Sequence, residues 1–268
     1  MGMPVAIEVL DDIEPSALTE AFARLRRVDA TFSTYCHDSQ ISQLDRGTLE
    51  PDAAHADVRE VLACCEAHRV ATGGFFDIRA TGRLDPSGFV KGWAVERAAA
   101  ILERAGARRF CINAGGDVLV RGGRPWRIGI RHPRLRDRLA GVVALRDGAV
   151  ATSGAYERGP HVVDPHTGRP PSHILSVTVL GPDLGTSDAY ATAAFAMGAD
   201  GPDWTASPSR RGFEAMTILD DDRVLTTRGF LEHCPGGSVS ASVTGARRSP
   251  PPRLPPPARA ACLGSPGQ

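Results

Sequence analysis

The apolar residues of this chain shift from mostly helical to mostly strand spacing near residue 105, and that shift limits the folds open to it. Up to about residue 105 they recur at helical spacing; from 109 onward they fall into eight short runs separated by Gly, Asp and Pro. After an alternating strand over 5–10, residues 16–28 read as an amphipathic helix, with Leu18, Phe22, Leu25 and Val28 on one face and Ser16 as its cap. A loop over 32–41 is followed by a helix over 55–71, with Val58, Leu62, Cys65 and Val70 on one side. Gly73 and Gly74 end it, and a third helix runs from Gly92 to Ala105, closed by Gly106 in a left-handed cap. Strands are expected at 109–113, 118–121, 126–131, 141–145, 149–153, 175–180, 214–219 and 224–227, with one more helix at 187–198. Helices early and strands late predict an α+β fold rather than an alternating parallel sheet.

Charge and composition exclude several function classes. Of 268 residues, 31 are basic and 31 acidic, so no basic face for bulk nucleic-acid binding is expected. No run of 18 apolar residues could span a membrane. The N-terminus enters a strand with no charged and apolar leader, which predicts a cytoplasmic protein. The six cysteines show neither a CxxC pair nor zinc spacing and read as small buried apolar residues, Cys262 in the tail aside. Residues 235–268 hold eight of the 21 prolines, four arginines and no acidic residue. Such a segment cannot offset its ordering entropy, so a foldable domain over 1–231 and a disordered Pro/Arg-rich tail over 232–268 are expected.

The chemistry concentrates in a few motifs. Asp85-Pro-Ser-Gly-Phe-Val-Lys91 sets a carboxylate, small residues and a lysine at a helix start. That order suits a pyrophosphate, because helix-start amides and a point charge both favour an anion; it also suits a plain turn followed by a helix. Asp188 and Thr192, four apart on a helix, share a face. They read either as two hard oxygen ligands for Mg²⁺ or as a capping carboxylate with a back-bonding hydroxyl. In His161-Val-Val-Asp-Pro-His-Thr-Gly168, His161 is a residue type suited to take a proton from an attacking hydroxyl, and Asp164 is a second base or its orienter. Asn113-Ala-Gly-Gly-Asp117 reads first as a tight turn capped by Asp117. His37, His55, His68 and His132 have no partner that singles them out.

These motifs, with Ala151-Thr-Ser-Gly154 and Ser187-Asp-Ala-Tyr-Ala-Thr192, occur in an order and at spacings that resemble the ApbE family, the FAD:protein FMN transferases. The likeness runs from Met1 to about Phe230. It implies a T-fold-like core with the cofactor cleft between two lobes, and Mg²⁺-dependent transfer of FMN from FAD to a Thr/Ser hydroxyl of a target flavoprotein, with release of AMP. It also implies Mg²⁺ held by Asp188, Thr192 and a main-chain oxygen at Gly88. FAD would be bound by Met1, Tyr35, Phe75, Phe76, Asp77, Asp85, Lys91 and Val162, with Lys91, His161 and Asp164 as the catalytic set. The acceptor would carry an Asp-x-x-[Ser/Thr]-Gly-Ala-Thr-like segment. Two departures from the family pattern stand out: Tyr190 replaces a smaller aliphatic residue, and Met3 a usual Thr. A hydrolase releasing FMN and AMP, or a non-catalytic FAD-binding protein, would use the same cleft. No GxGxxG follows a strand, which sets a nicotinamide dehydrogenase aside.

Overall fold

The computed structural model describes residues 2–135, 137–154, 162–207, 210 and 212–236. Met1, His161 and the Pro/Arg-rich stretch from 237 onward lie outside the described residues. Within them the fold is α+β, with nine strands in two antiparallel sheets. The large sheet has the order β1 (Val5–Val9), β2 (Phe110–Ala114), β3 (Asp117–Arg121), β6 (Gly148–Gly154), β7 (Ile174–Gly181), β8 (Glu214–Leu219) and β9 (Val224–Thr226). The small sheet is the hairpin β4 (Trp126–Arg131) and β5 (Leu139–Leu145).

Period-2 alternation in the central strands feeds two cores, one on each face of the sheet. Leu119, Ala149, Ala151, Val177, Val179 and Ala215 face a helical layer. Their strand neighbours Val118, Val120, Val150, Leu180, Met216 and Ile218 face the β4–β5 hairpin. The 3-10 turn Phe230–His233 closes that second core, with Phe230 and Cys234 both buried.

The helical layer contains α1 (Pro15–Phe32), α3 (Ala56–Ala71), α4 (Ser87–Arg104) and α5 (Leu184–Ala196). Helix α1 buries Ala17, Ala21, Leu25, Val28 and Phe32, leaving Leu18 and Phe22 at the margin of the stripe. Its cap position is Glu14 rather than Ser16, because Pro15 at the first helical position needs no amide partner. Helix α3 buries Val58, Val61, Cys64, Cys65 and His68, while Val70 is exposed. The expected 32–41 loop gives way to a short α2 (Gln40–Asp45), capped by Ser39. A further short helix, α6 (Gly201–Thr205), follows α5.

Helices α4 and α5 lie so close that their backbones touch. A Cβ on Gly92 would sit 2.5 Å from the Gly185 amide nitrogen and 2.6 Å from the Leu184 carbonyl oxygen. One turn further along α4, Glu96 accepts the Leu184 amide at 2.8 Å, and Asp183 caps α5 through the Thr186 amide at 2.7 Å. One turn earlier, Gly88 meets Thr192. The contacts therefore run in opposite directions along the two helices, an antiparallel register set by residues 88, 92 and 96. Because backbone rather than side-chain ends would block a methyl, Gly92→Ala is expected to lose about 1–3 kcal/mol in urea unfolding. An unchanged midpoint would contradict the contact.

Behind α4 and α5 an aromatic cluster encloses His68. Its ring centroid lies 5.1 Å from Phe89 and 6.0 Å from both Phe76 and Tyr190. Burial pushes the His68 pKa down to about 4, with Asp183 opposing and Arg210 reinforcing the shift. Between pH 6.5 and 4 the unfolded chain takes a proton that the folded chain refuses. Stability present above pH 6.5 is therefore lost as the pH falls, by roughly 3 kcal/mol for this group alone. His68→Phe keeps a ring in place and should flatten the melting temperature over that interval; an undiminished acid slope would show that other groups carry it.

Candidate active site

A cleft of about 170 Å³ opens where the first turns of α4 meet Asp188 and Thr192 of α5 and the end of β6. Its lining includes nine residues singled out from sequence: Phe75, Phe76, Asp77, Asp85, Gly88, Lys91, Val162, Asp188 and Thr192. Four separate segments deliver them, and each is held by an identifiable interaction.

The 79–85 segment is tied to α2. Asp45 Oδ1 accepts the Leu84 amide at 2.7 Å, and Arg79 and Arg83 pair with the same carboxylate. That amide bond is the chief reason the Asp45 carboxyl is held below its ordinary range. Asp85 then accepts the Ser87 amide at 3.0 Å and sits exposed at the start of α4, where the helix dipole favours an anion. The helix begins at Ser87, earlier than its apolar spacing indicates, so Gly88 and Lys91 stand in its first turns.

Lys91 is the electrostatic centre. Its ammonium pairs with Asp117 Oδ2 and lies 3.5 Å from Asp188 Oδ2. Both carboxylates are buried, at 2% relative exposure. Asp117 also accepts the Thr152 amide through Oδ1 at 3.0 Å, joining β3 to β6. The turn reading of Asn113–Asp117 holds for Asn113, whose Oδ1 accepts the Gly116 amide. Asp117 itself turns inward to the lysine.

Asp188 is a full turn inside α5, whose cap is Asp183, so the capping role open to it from spacing falls to another residue. Thr192 Oγ1 lies 3.2 Å from Ser153 Oγ, which places a third oxygen beside it. Ser153 and Thr152 belong to the Ala151–Gly154 motif, quoted from sequence without a role. Among the described residues no three His, Cys, Asp or Glu gather into a metal-holding group. The cleft instead offers the carboxylates of Asp77, Asp85 and Asp188 and the hydroxyls of Ser153 and Thr192 around one ammonium. An all-oxygen set with surplus negative charge fits a hard cation that keeps sites for water or phosphate.

The aromatic side is braced by His166, which sequence reading passed over. Its Nε2 meets the Gly73 carbonyl oxygen at 3.1 Å, and its ring lies edge-on to Phe75 at 4.5 Å. A Cβ on Gly74, at φ +89°, would be 3.2 Å from the His166 ring. Asp164 holds this loop from within: Oδ1 accepts the His166 amide at 2.9 Å and Oδ2 the Thr167 hydroxyl at 2.8 Å. Asp164 is outside the cleft lining, and Val162 and Val163 are within it. Tyr35 is 97% exposed and also outside the lining, although Arg83 reaches the neighbouring Thr34 carbonyl.

Comparison with known proteins places this geometry. The profile of the ApbE family matches residues 1–82 and 79–217. A FAD:protein FMN transferase of Rhodobacter capsulatus is 39% identical over 171 residues, covering 58% of this chain and 32% of the relative. One from Vibrio cholerae is 36% identical over 129 residues, covering 43% of this chain and 39% of the relative. The chain thus spans about a third of the length of these two relatives. One from Haemophilus influenzae is 27% identical over 274 residues, covering 75% and 79%. Among solved structures, the flavin transferase ApbE from Vibrio cholerae superposes with a TM-score of 0.77 at 24% identity, over 87% of this chain and 96% of that one. An ApbE protein from Thermotoga maritima gives 0.75 at 22%, with the same coverage. Fold likeness and a profile match across most of its length make this chain a member of the ApbE family.

Proposed function

We propose that this chain transfers FMN from FAD to a threonine or serine hydroxyl of a target flavoprotein, in the presence of Mg²⁺, releasing AMP. The observation that carries the reading is one cleft in which Gly88, Lys91, Asp188 and Thr192 face the aromatic wall of Phe75 and Phe76. The relatives' names supply the substrate class, and the cleft supplies groups suited to it.

In this reading the acceptor oxygen attacks the phosphorus on the riboflavin side. A new P–O bond forms, the bond to the bridging oxygen breaks, and AMP leaves with that oxygen. Lys91 offsets charge on the phosphate oxygens, held in place for that task by Asp117. Asp188, Thr192 and the Gly88 carbonyl would hold Mg²⁺. Bound there, the ion supplies Lewis-acid stabilisation of the phosphoryl oxygens. Phe75, Phe76, Asp77 and Val162 bound the flavin side, and Asp85 at the mouth accepts from a sugar or base. Tyr35 would meet only a part of FAD that leaves the cleft. His161 is the candidate to take the acceptor's proton; Asp164, both oxygens engaged in its own loop, would orient that segment. Met1 would close the flavin side from the N-terminus.

The test is the intact mass of an acceptor domain carrying an Asp-x-x-Thr-Gly-Ala-Thr segment after incubation with FAD, Mg²⁺ and this protein. A gain of one FMN unit is expected, and Asp188→Ala should slow it on the order of 10²-fold or more while the melting transition remains cooperative. An unmodified acceptor with free FMN and AMP would replace the transferase with a pyrophosphatase. Full activity in Asp188→Ala would reject the metal assignment.

A further inference from the structure

Strand β4 pairs only with β5 among the described residues, which leaves its other edge open. A second cavity of about 320 Å³ lies along that edge. It touches five consecutive residues, Arg127 to Arg131, and none of β5. Successive side chains of a strand point to opposite faces, so a cavity meeting all five must run beside the backbone. Its far wall is the outer face of the large sheet, including Cys111 of β2 and Val118 of β3.

This groove adjoins the catalytic cleft. Gly115 and Thr152 line both. Asp117 lines the groove while its carboxylate pairs with Lys91, which lines the cleft. A segment lying in the groove would therefore end at the wall carrying the lysine.

We infer that the open edge of β4 docks the acceptor polypeptide, which adds to the β4–β5 hairpin as a third strand and brings its hydroxyl to the cleft over Gly115 and Thr152. The inference rests on the transferase reading above. Edge pairing uses main-chain hydrogen bonds, so it holds an extended segment while tolerating most side chains. Selection comes from Arg127, exposed on the groove, which favours an acidic residue in the segment. The same charge repels its counterpart on β4 of a second copy. The chain's own Pro250–Pro257 stretch suits the groove poorly, since proline donates no ladder hydrogen bond and the stretch carries an arginine of like charge.

The test joins steady-state kinetics to hydrogen exchange, using the full chain and the same acceptor domain. Arg127→Glu should raise KM for the acceptor about tenfold or more, leaving kcat at saturating acceptor and the Kd for FAD unchanged. In the native protein, amides of 127–131 should slow their exchange when the acceptor is added. A native KM in Arg127→Glu together with unchanged β4 exchange would overturn the inference and leave the transferase standing. Protection present without acceptor, and lost when 237–268 are removed, would identify the occupant as the chain's own tail and overturn it too. Failure of the native protein to modify the acceptor at all would reject the transferase reading and this inference with it.

Discussion

The backbone contact between α4 and α5 is the constraint on which the site depends. Glycine at 92 and 185 lets two helices approach more closely than any side chain allows. The antiparallel register then follows, with Glu96 on the α5 amino end and Gly88 on Thr192. With that register, Lys91 and Asp188 face each other across the helix pair. The glycines thus do for the site what a disulfide or a metal does elsewhere: they fix the distance between two chemically active surfaces. Neither residue takes part in chemistry.

Around that contact the fold buries groups that would be costly alone. Asp117 and Asp188 are both nearly inaccessible, and each finds Lys91 as counter-charge. Replacing such a cluster with apolar residues is often neutral or stabilising, so its presence points to function more than to stability. Glu96, half-buried, has its carboxyl pushed up by desolvation while the Leu184 amide and Arg121 pull the other way. Glu96 and Asp117 are thus both acidic groups set against the helix pair. Each is held by a backbone amide and a cation.

Much of this was legible in the sequence, for identifiable reasons. Strand 126–131 alternates and 214–219 is a short apolar run, both bounded by turn residues, and the structure returns those limits. Lys91, Gly88, Asp188 and Thr192 stand in quoted motifs, the metal-holding reading of the last three coming from the resemblance rather than from spacing, and the fold brings all four to one cleft. The inward turn of Asp117 was not legible, since a glycine-rich turn ending in Asp looks the same whether the carboxylate caps it or pairs with a distant lysine. His166 escaped notice because its role is a ring contact with residues more than ninety positions earlier. Short helices α2 and α6 fall below the length at which periodicity carries a signal. The early start of α4 was hidden by Pro86 and Gly88, which read as a turn and serve as the helix entry.

The central claim is that the helix pair holds a cation and a pyrophosphate together, so that each should strengthen the other's binding. Calorimetric titration of FAD into the native protein and into Asp188→Ala, each with Mg²⁺ and with chelator, tests this directly. The account predicts that Mg²⁺ tightens FAD binding about tenfold or more in the native protein and has no such effect in Asp188→Ala. Equal affinity in all four titrations would contradict it.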